Sequence, residues 1–201
     1  MTSQESAQHK AEAAQKRRSR QTATNLLLSL GACLAVVFVL ILVAVRPTAP
    51  HLPEVDYLSV ARQAQSNTAT PLAAPSLNGG WSANAAHVNP ASTDGVVSWY
   101  IGFLTPGAQF IGLRQGIGAT TGWISHQLPQ THATGTVVVA GVTWQVYDRR
   151  DVRDPGNFAY AMSTASGSSA YVLFGTAKTA EFHTLATALA KQLDTTGKAT
   201  K

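Results

Sequence analysis

The chain has 201 residues, 45% of them hydrophobic and 12% charged. Roughly half the usual charged fraction excludes an intrinsically disordered chain, which combines many charges with few apolar groups. One cysteine excludes an intramolecular disulfide framework and a cysteine-based structural zinc site, and no repeat period points to a solenoid.

A formal charge of +5 and a pI of about 9.6 suggest nucleic acid only if the charge lies in the folded part. Lys10, Lys16, Arg17, Arg18 and Arg20 crowd the first 25 residues, whereas residues 47–201 hold nine Lys/Arg and eight Asp/Glu. A near-neutral domain has no long-range field to steer a phosphate backbone, so no nucleic-acid partner is expected.

Residues 1–25 read as a basic cytoplasmic tail. From Leu26 to Val45 the sequence LLLSLGACLAVVFVLILVAV carries no charge over 20 residues. At ~1.5 Å per residue such a helix spans ~30 Å, the hydrocarbon thickness of a bilayer. Arg46 and Pro47 close it. The cluster KRRSR (Lys16 to Arg20) precedes it and places the N-terminus inside and the rest of the chain outside. The expected location is therefore the plasma membrane, crossed once, with the C-terminal domain extracytoplasmic. A cleaved signal peptide fits less well, because the apolar run is too long and Pro47 and Pro50 crowd the cleavage region. LGAC (Leu30 to Cys33) has the form of a lipoprotein box, but twelve apolar residues follow Cys33, where that box should end the apolar region.

Residues 46–80 are rich in Pro and Ala and read as a spacer, interrupted by a short amphipathic helix over about Pro53 to Gln65. A domain over 81–193 follows. Strands are expected at Trp81–Val88, Val96–Leu104 and Gln109–Gln115. In the second of these Val97, Trp99, Ile101 and Phe103 share one face. TPGA (Thr105 to Ala108) predicts a tight hairpin with glycine supplying a positive φ. Thr121–Leu128 reads as a short helix ended by Pro129. Thr136–Ala140 and Val142–Asp148 are two strands, or one with a bulge at Gly141. Further strands are expected at Asn157–Ser163 and Tyr171–Thr176. The last helix, about Ala180 to Leu193, has Thr179 as N-cap, Glu181 at the positive end of its dipole, and an apolar stripe of Phe182, Leu185, Ala186, Leu189 and Leu193. Residues 194–201 read as a frayed, disordered tail. The fold class is α+β: an N-terminal transmembrane helix, then an antiparallel sheet of six to seven strands with helices on one face.

Trp81-x-x-Asn84, the run Trp99-Tyr-Ile-Gly-Phe-Leu-Thr-Pro, Gln115, Gly141-x-x-Trp144 and Gly175-Thr-Ala, in that order, resemble an actinobacterial family of single-pass membrane proteins carrying a domain of unknown function. The resemblance runs from the membrane segment to about Leu193. Asn78-Gly79 stands where a proline is expected. The resemblance implies an envelope location and supplies no activity, cofactor or catalytic residue. The order of elements is also similar to the PsbP/Mog1-like fold.

DRRDVRDP (Asp148 to Pro155) is the most polar stretch; its interleaved arginines and aspartates suit surface ion pairing better than metal capture, although Arg149 and Arg150 are candidates for an anionic ligand. No HExxH or HxH spacing occurs, and GIGATTG (Gly116 to Gly122) lacks the third glycine and the βαβ context of a dinucleotide site. No metal or cofactor is therefore expected. A nucleophile elbow is also absent. An aromatic platform with orienting amides would draw on Trp81, Asn84, Gln115 and Trp123, while Trp99 and Trp144 face the core. The leading expectation is a non-enzymatic, membrane-anchored domain that binds an envelope glycan, a lipid or a membrane protein. The alternatives are an envelope-polymer hydrolase and a carrier with an apolar pocket between sheet and helix.

Overall fold

A computed structural model describes residues 25–40, 54–91, 94–119, 121–128 and 132–198. The chain divides into two compact units, Met1–His51 and Leu52–Lys201. In the first unit residues 25–40 form a helix, α1. Its Leu26, Leu27, Leu28, Leu30, Leu34 and Phe38 are all exposed, so it is apolar around its circumference and has no polar face. Among the described residues no helix is long and apolar enough to cross a membrane. The run expected to span extends to Val45, and residues 41–45 lie outside the described residues, as do the basic cluster and Arg46-Pro47.

In the second unit α2 (Tyr57–Gln65) precedes β1 (Ser82–Asn89), β2 (Ser98–Leu104) and β3 (Phe110–Ile117). Helix α3 (Thr121–Gln127) then leads to β4 (Gly135–Val139) and β5 (Val142–Asp148), a 3₁₀ turn at Gly156–Phe158, β6 (Tyr160–Ser166), β7 (Ser169–Gly175) and α4 (Thr179–Lys198). The seven strands form one sheet in the order β1-β2-β3-β7-β6-β5-β4, with every neighbouring pair antiparallel. Two meanders thus meet at β3 and β7, and the crossover containing α3 carries the chain from the sheet centre to its far edge.

The expected alternation in β2 holds: Trp99, Ile101 and Phe103 are fully buried. With Ile111 and Leu113 of β3 and Leu173 of β7 they form an inner face, which α4 covers through Phe182, Leu185, Ala186, Leu189 and Leu193. Burying each of the larger side chains in that stripe stabilises by about 2 kcal/mol. The helices do not share one face, however. Trp123, Ile124 and Leu128 of the α3 segment pack with Ala161, Ala170, Val172 and Phe174 on the opposite, outer face. The reason lies in β7, which is buried at all seven positions and so needs cover on both sides.

Two turns resolve differently from expectation. In the β2–β3 hairpin the positive φ falls on Ala108 (54°), not on the glycine. The Ala108 amide donates to the Thr105 carbonyl, and the Thr105 amide to the Gln109 carbonyl, giving a three-residue loop closed by a left-handed residue. At β4–β5, Ala140 (φ 49°) and Gly141 (φ 81°) both adopt positive φ, so Gly141 sits in a two-residue hairpin between two strands and is not a bulge.

Part of the expected spacer 46–80 is packed against the domain. Leu72, Ala73 and Pro75 are buried, and 71–77 form a strap across the inner face. Side chains hold its backbone. Gln115 accepts from the Ala73 amide (2.7 Å) and donates to the Pro71 carbonyl (2.9 Å), while Trp99 Nε1 donates to the Ala73 carbonyl (2.8 Å). Gln192 of α4 clasps both polar groups of Ala74, and the Tyr57 hydroxyl donates to the Pro75 carbonyl. Prolines and alanines give this segment no hydrophobic period, and an extended strand outside the sheet must find its partners among side chains. Helix α2 starts later than expected, at Tyr57, because Asp56 caps it by accepting from the Ser59 amide.

Thr179 is the first residue of α4 and not its cap. The Lys178 carbonyl accepts from the amides of Glu181 and Phe182. The Glu181 carboxylate turns back to accept from the Lys178 amide and also from the Gly107 amide at the β2–β3 hairpin tip (3.1 Å each). The helix continues past Leu193 to Lys198, so residues 194–198, expected in a frayed tail, are helical.

Partial burial would raise the Glu181 pKa. The hydrogen bonds from Thr105, Lys178 and Gly107 and the nearby Lys178 charge outweigh it and hold the group below its ordinary value of 4.5. A depressed folded pKa contributes stability above the unfolded value, and that contribution disappears as pH falls through the folded one. Glu181→Gln should therefore lower the melting temperature at pH 7 but flatten its decline below pH ~4.5. Parallel wild-type and variant melting curves across the acid range would refute this.

Candidate functional site

The outer face begins with a register. Tyr100 of β2 lies directly opposite Arg114 of β3, and Gly102 opposite Gly112. Gly112 in turn lies opposite Phe174 of β7. A Cβ on Gly112 would come within 2.6 Å of the Phe174 ring, so only glycine lets that ring lie down on the sheet. The ring then flanks Arg114, whose Cζ is 5.1 Å from its centroid and 5.9 Å from that of Tyr100. Contacts of this kind are worth about 0.5–1 kcal/mol each at partly exposed sites.

A register shift between Ala83 and Ala85 re-aims Asn84 over Gly102, where its Oδ1 and the Tyr100 hydroxyl converge. Helix α3 supplies Gln127, whose Oε1 accepts from Arg114 NH1 (2.6 Å). The His87 ring lies 5.1 Å from that of Tyr100. Burial draws the Arg114 guanidinium below its ordinary value and pushes the Tyr100 phenol up. At neutral pH the pair is therefore a charged guanidinium beside a neutral phenol. Arg114 has no ion pair with another described residue, unlike Arg150, which pairs with Asp148.

The residues singled out in the sequence do not converge. Asn84 alone belongs to this cluster. Gln115 is adjacent in sequence but points to the inner face, fully buried, with its amide engaged by Pro71, Ala73 and Ser169. Trp123 is 4% exposed and lies over Gly116. Trp81 is half-buried, edge-on to Phe103 at 6.1 Å. Trp99 and Trp144 are fully buried, as their strand positions imply. Acrylamide quenching should therefore resolve one accessible tryptophan population, removed by Trp81→Phe. A quenchable fraction that survives this substitution would contradict the packing.

Arg149 is half-buried in the loop after β5. Arg150 pairs with Asp148, lies 4.9 Å over the Tyr160 ring and donates to Thr179 Oγ1 (3.1 Å). Its hydrogen bond holds Asp148 below the ordinary carboxylate range, against partial burial. These contacts make the charged segment a brace between the β5 turn and the start of α4. No group of three His, Cys, Asp or Glu among the described residues is placed to hold a metal ion.

Between sheet and α4 the side chains of Trp99, Phe103, Phe182, Leu185 and Leu189 are fully buried, and a small cavity of about 210 Å³ lies where Leu72 and Ala73 of the strap meet Tyr171 of β7 and Leu189 and Leu193 of α4. The described surface carries a shallow depression of about 480 Å³ between the strap and α4, lined in part by Leu77, Asn78, His183, Thr187 and Lys191. A second, of about 230 Å³, is lined by Ala64, Val88, Val97 and Ile117 at the other end of α2.

Sequence comparison places this arrangement in a family. Residues 18–189 match the family described as a protein of unknown function, DUF4245. The chain belongs to the DUF4245 family. No curated protein and no solved structure matches it. The stretch matched to DUF4245 includes α1, the strap and the whole sheet, and therefore all of Asn84, Tyr100, Arg114 and Gln127. Arg114 was open to discovery from sequence, since it is the one charge in the strand FIGLRQGI, but nothing local distinguishes it from a solvated edge residue.

Proposed function

We propose that this DUF4245 protein is anchored in the plasma membrane by a single helix, with the Leu52–Lys201 unit outside the cytoplasm acting as a binding module for an envelope component or a neighbouring membrane protein. One observation carries the reading: the uncharged run 26–45, whose described part is a helix with apolar side chains exposed on every side. A helix without a polar face has no stable place in water, and a basic cluster on its N-terminal flank favours retention of that flank in the cytoplasm. The outer-face cluster supports a binding role, since a guanidinium, two amides and a phenol orient a ligand.

The test is protease accessibility. Proteinase K added to intact, wall-stripped cells should remove the C-terminal unit and leave a membrane-embedded N-terminal fragment. Protection until lysis, or release of the intact chain by alkaline carbonate, would overturn the reading.

A further inference from the structure

We propose that Arg114 is the anchor of a ligand site that takes an oxyanion, a carboxylate or phosphate group, on the outer face of the sheet. The proposal deepens the binding reading and does not depend on which side of a membrane the unit lies.

Three observations converge. First, the guanidinium is half-buried at the sheet centre, with no ion pair among the described residues. A partly desolvated charge without a counter-charge is unfavourable, and an incoming anion removes that penalty. Second, its hydrogen bonding is one-sided. NH1 is engaged by Gln127, whereas Nε and NH2 make no hydrogen bond to another described residue. Those two nitrogens form the planar fork that meets two oxygens of one carboxylate or phosphate. Third, the fork is held in place. Tyr100 and Phe174 flank the cation, and Gln127 fixes the far nitrogen. Asn84 and the Tyr100 hydroxyl converge over Gly102 to supply further polar contacts beside it. An arginine that merely stapled α3 to the sheet would need only its bond to Gln127.

The experiment uses the full chain in a neutral detergent, titrated at constant ionic strength with inorganic phosphate in one arm and succinate in the other. Calorimetry should show saturable binding of at least one anion, weakened about tenfold or more in Arg114→Gln and partly kept in Arg114→Lys, which retains the charge but not the fork. Binding in one arm alone identifies which oxyanion the site prefers. A readout that needs no variant runs alongside: phenylglyoxal modification followed by mass spectrometry. The ligand should slow reaction at Arg114 while leaving the half-buried Arg149 of the loop after β5 unchanged. Absence of saturable binding in both arms, undiminished binding in folded Arg114→Gln, an Arg114 that phenylglyoxal does not reach, or equal protection of Arg149 would each overturn the proposal. None of these results bears on membrane topology, which protease accessibility reads separately.

Discussion

Gln115→Leu should destabilise the Leu52–Lys201 unit by about 3–5 kcal/mol, although it preserves side-chain volume and adds apolar character. The wild-type amide is fully buried and serves three partners at once: the Pro71 carbonyl, the Ala73 amide and the Ser169 hydroxyl. Leucine leaves all three without it, and each stranded buried group costs about 1–3 kcal/mol. For a domain of this size the melting temperature should fall by roughly 10 °C. The strap should also loosen, so limited proteolysis would cut within 66–77 faster than in the wild type. Gln192→Leu, which releases Ala74 from a half-buried clasp, should cost less. A loss below about 1 kcal/mol for Gln115→Leu would show that the strap does not depend on this amide.

Gly175→Ala should be at least as damaging. Gly175 ends β7, paired with Ile111 on one side and Tyr160 on the other. A Cβ there would overlap the Phe110 carbonyl oxygen and lie 3.0 Å from the Ile111 Cα, both backbone atoms of β3. No rotamer change relieves a clash with backbone, so β3 and β7 must part where the two meanders join. The expected cost is about 3 kcal/mol or more, seen as loss of folded protein or a large fall in the denaturation midpoint. Gly135→Ala is the control: a Cβ at that position meets nothing within 4 Å, and its effect should stay within about 0.5 kcal/mol. Equal stability of the two variants would refute the packing at the β3–β7 seam.

How much of this was readable beforehand varies by element. The alternation of Trp99, Ile101 and Phe103 and the stripe Phe182 to Leu193 are periodic patterns, and the structure buries both sets on the inner face. The short α3 and the β2–β3 hairpin were also placed correctly, while the positive φ within that hairpin moved from Gly107 to Ala108. The strap was missed because its order comes from Gln115, Trp99 and Gln192, residues far away in the chain. The same holds for Thr179, whose hydroxyl accepts from Arg150 while Glu181 satisfies the start of the helix.

Periodicity and turn chemistry are properties of neighbouring residues. They suffice for an α+β sheet, for its inner-face residues, and for an apolar N-terminal helix. Which strands sit beside one another at the centre, and which side chains meet across them, depends on long-range pairing that no local pattern encodes. The pairing of β3 with β7 brings Phe174 against Arg114, and the register of β2 brings Tyr100 to it. An arginine surrounded by aromatic rings and lacking an acid is visible only after that assembly, because its environment comes from four separate segments of the chain.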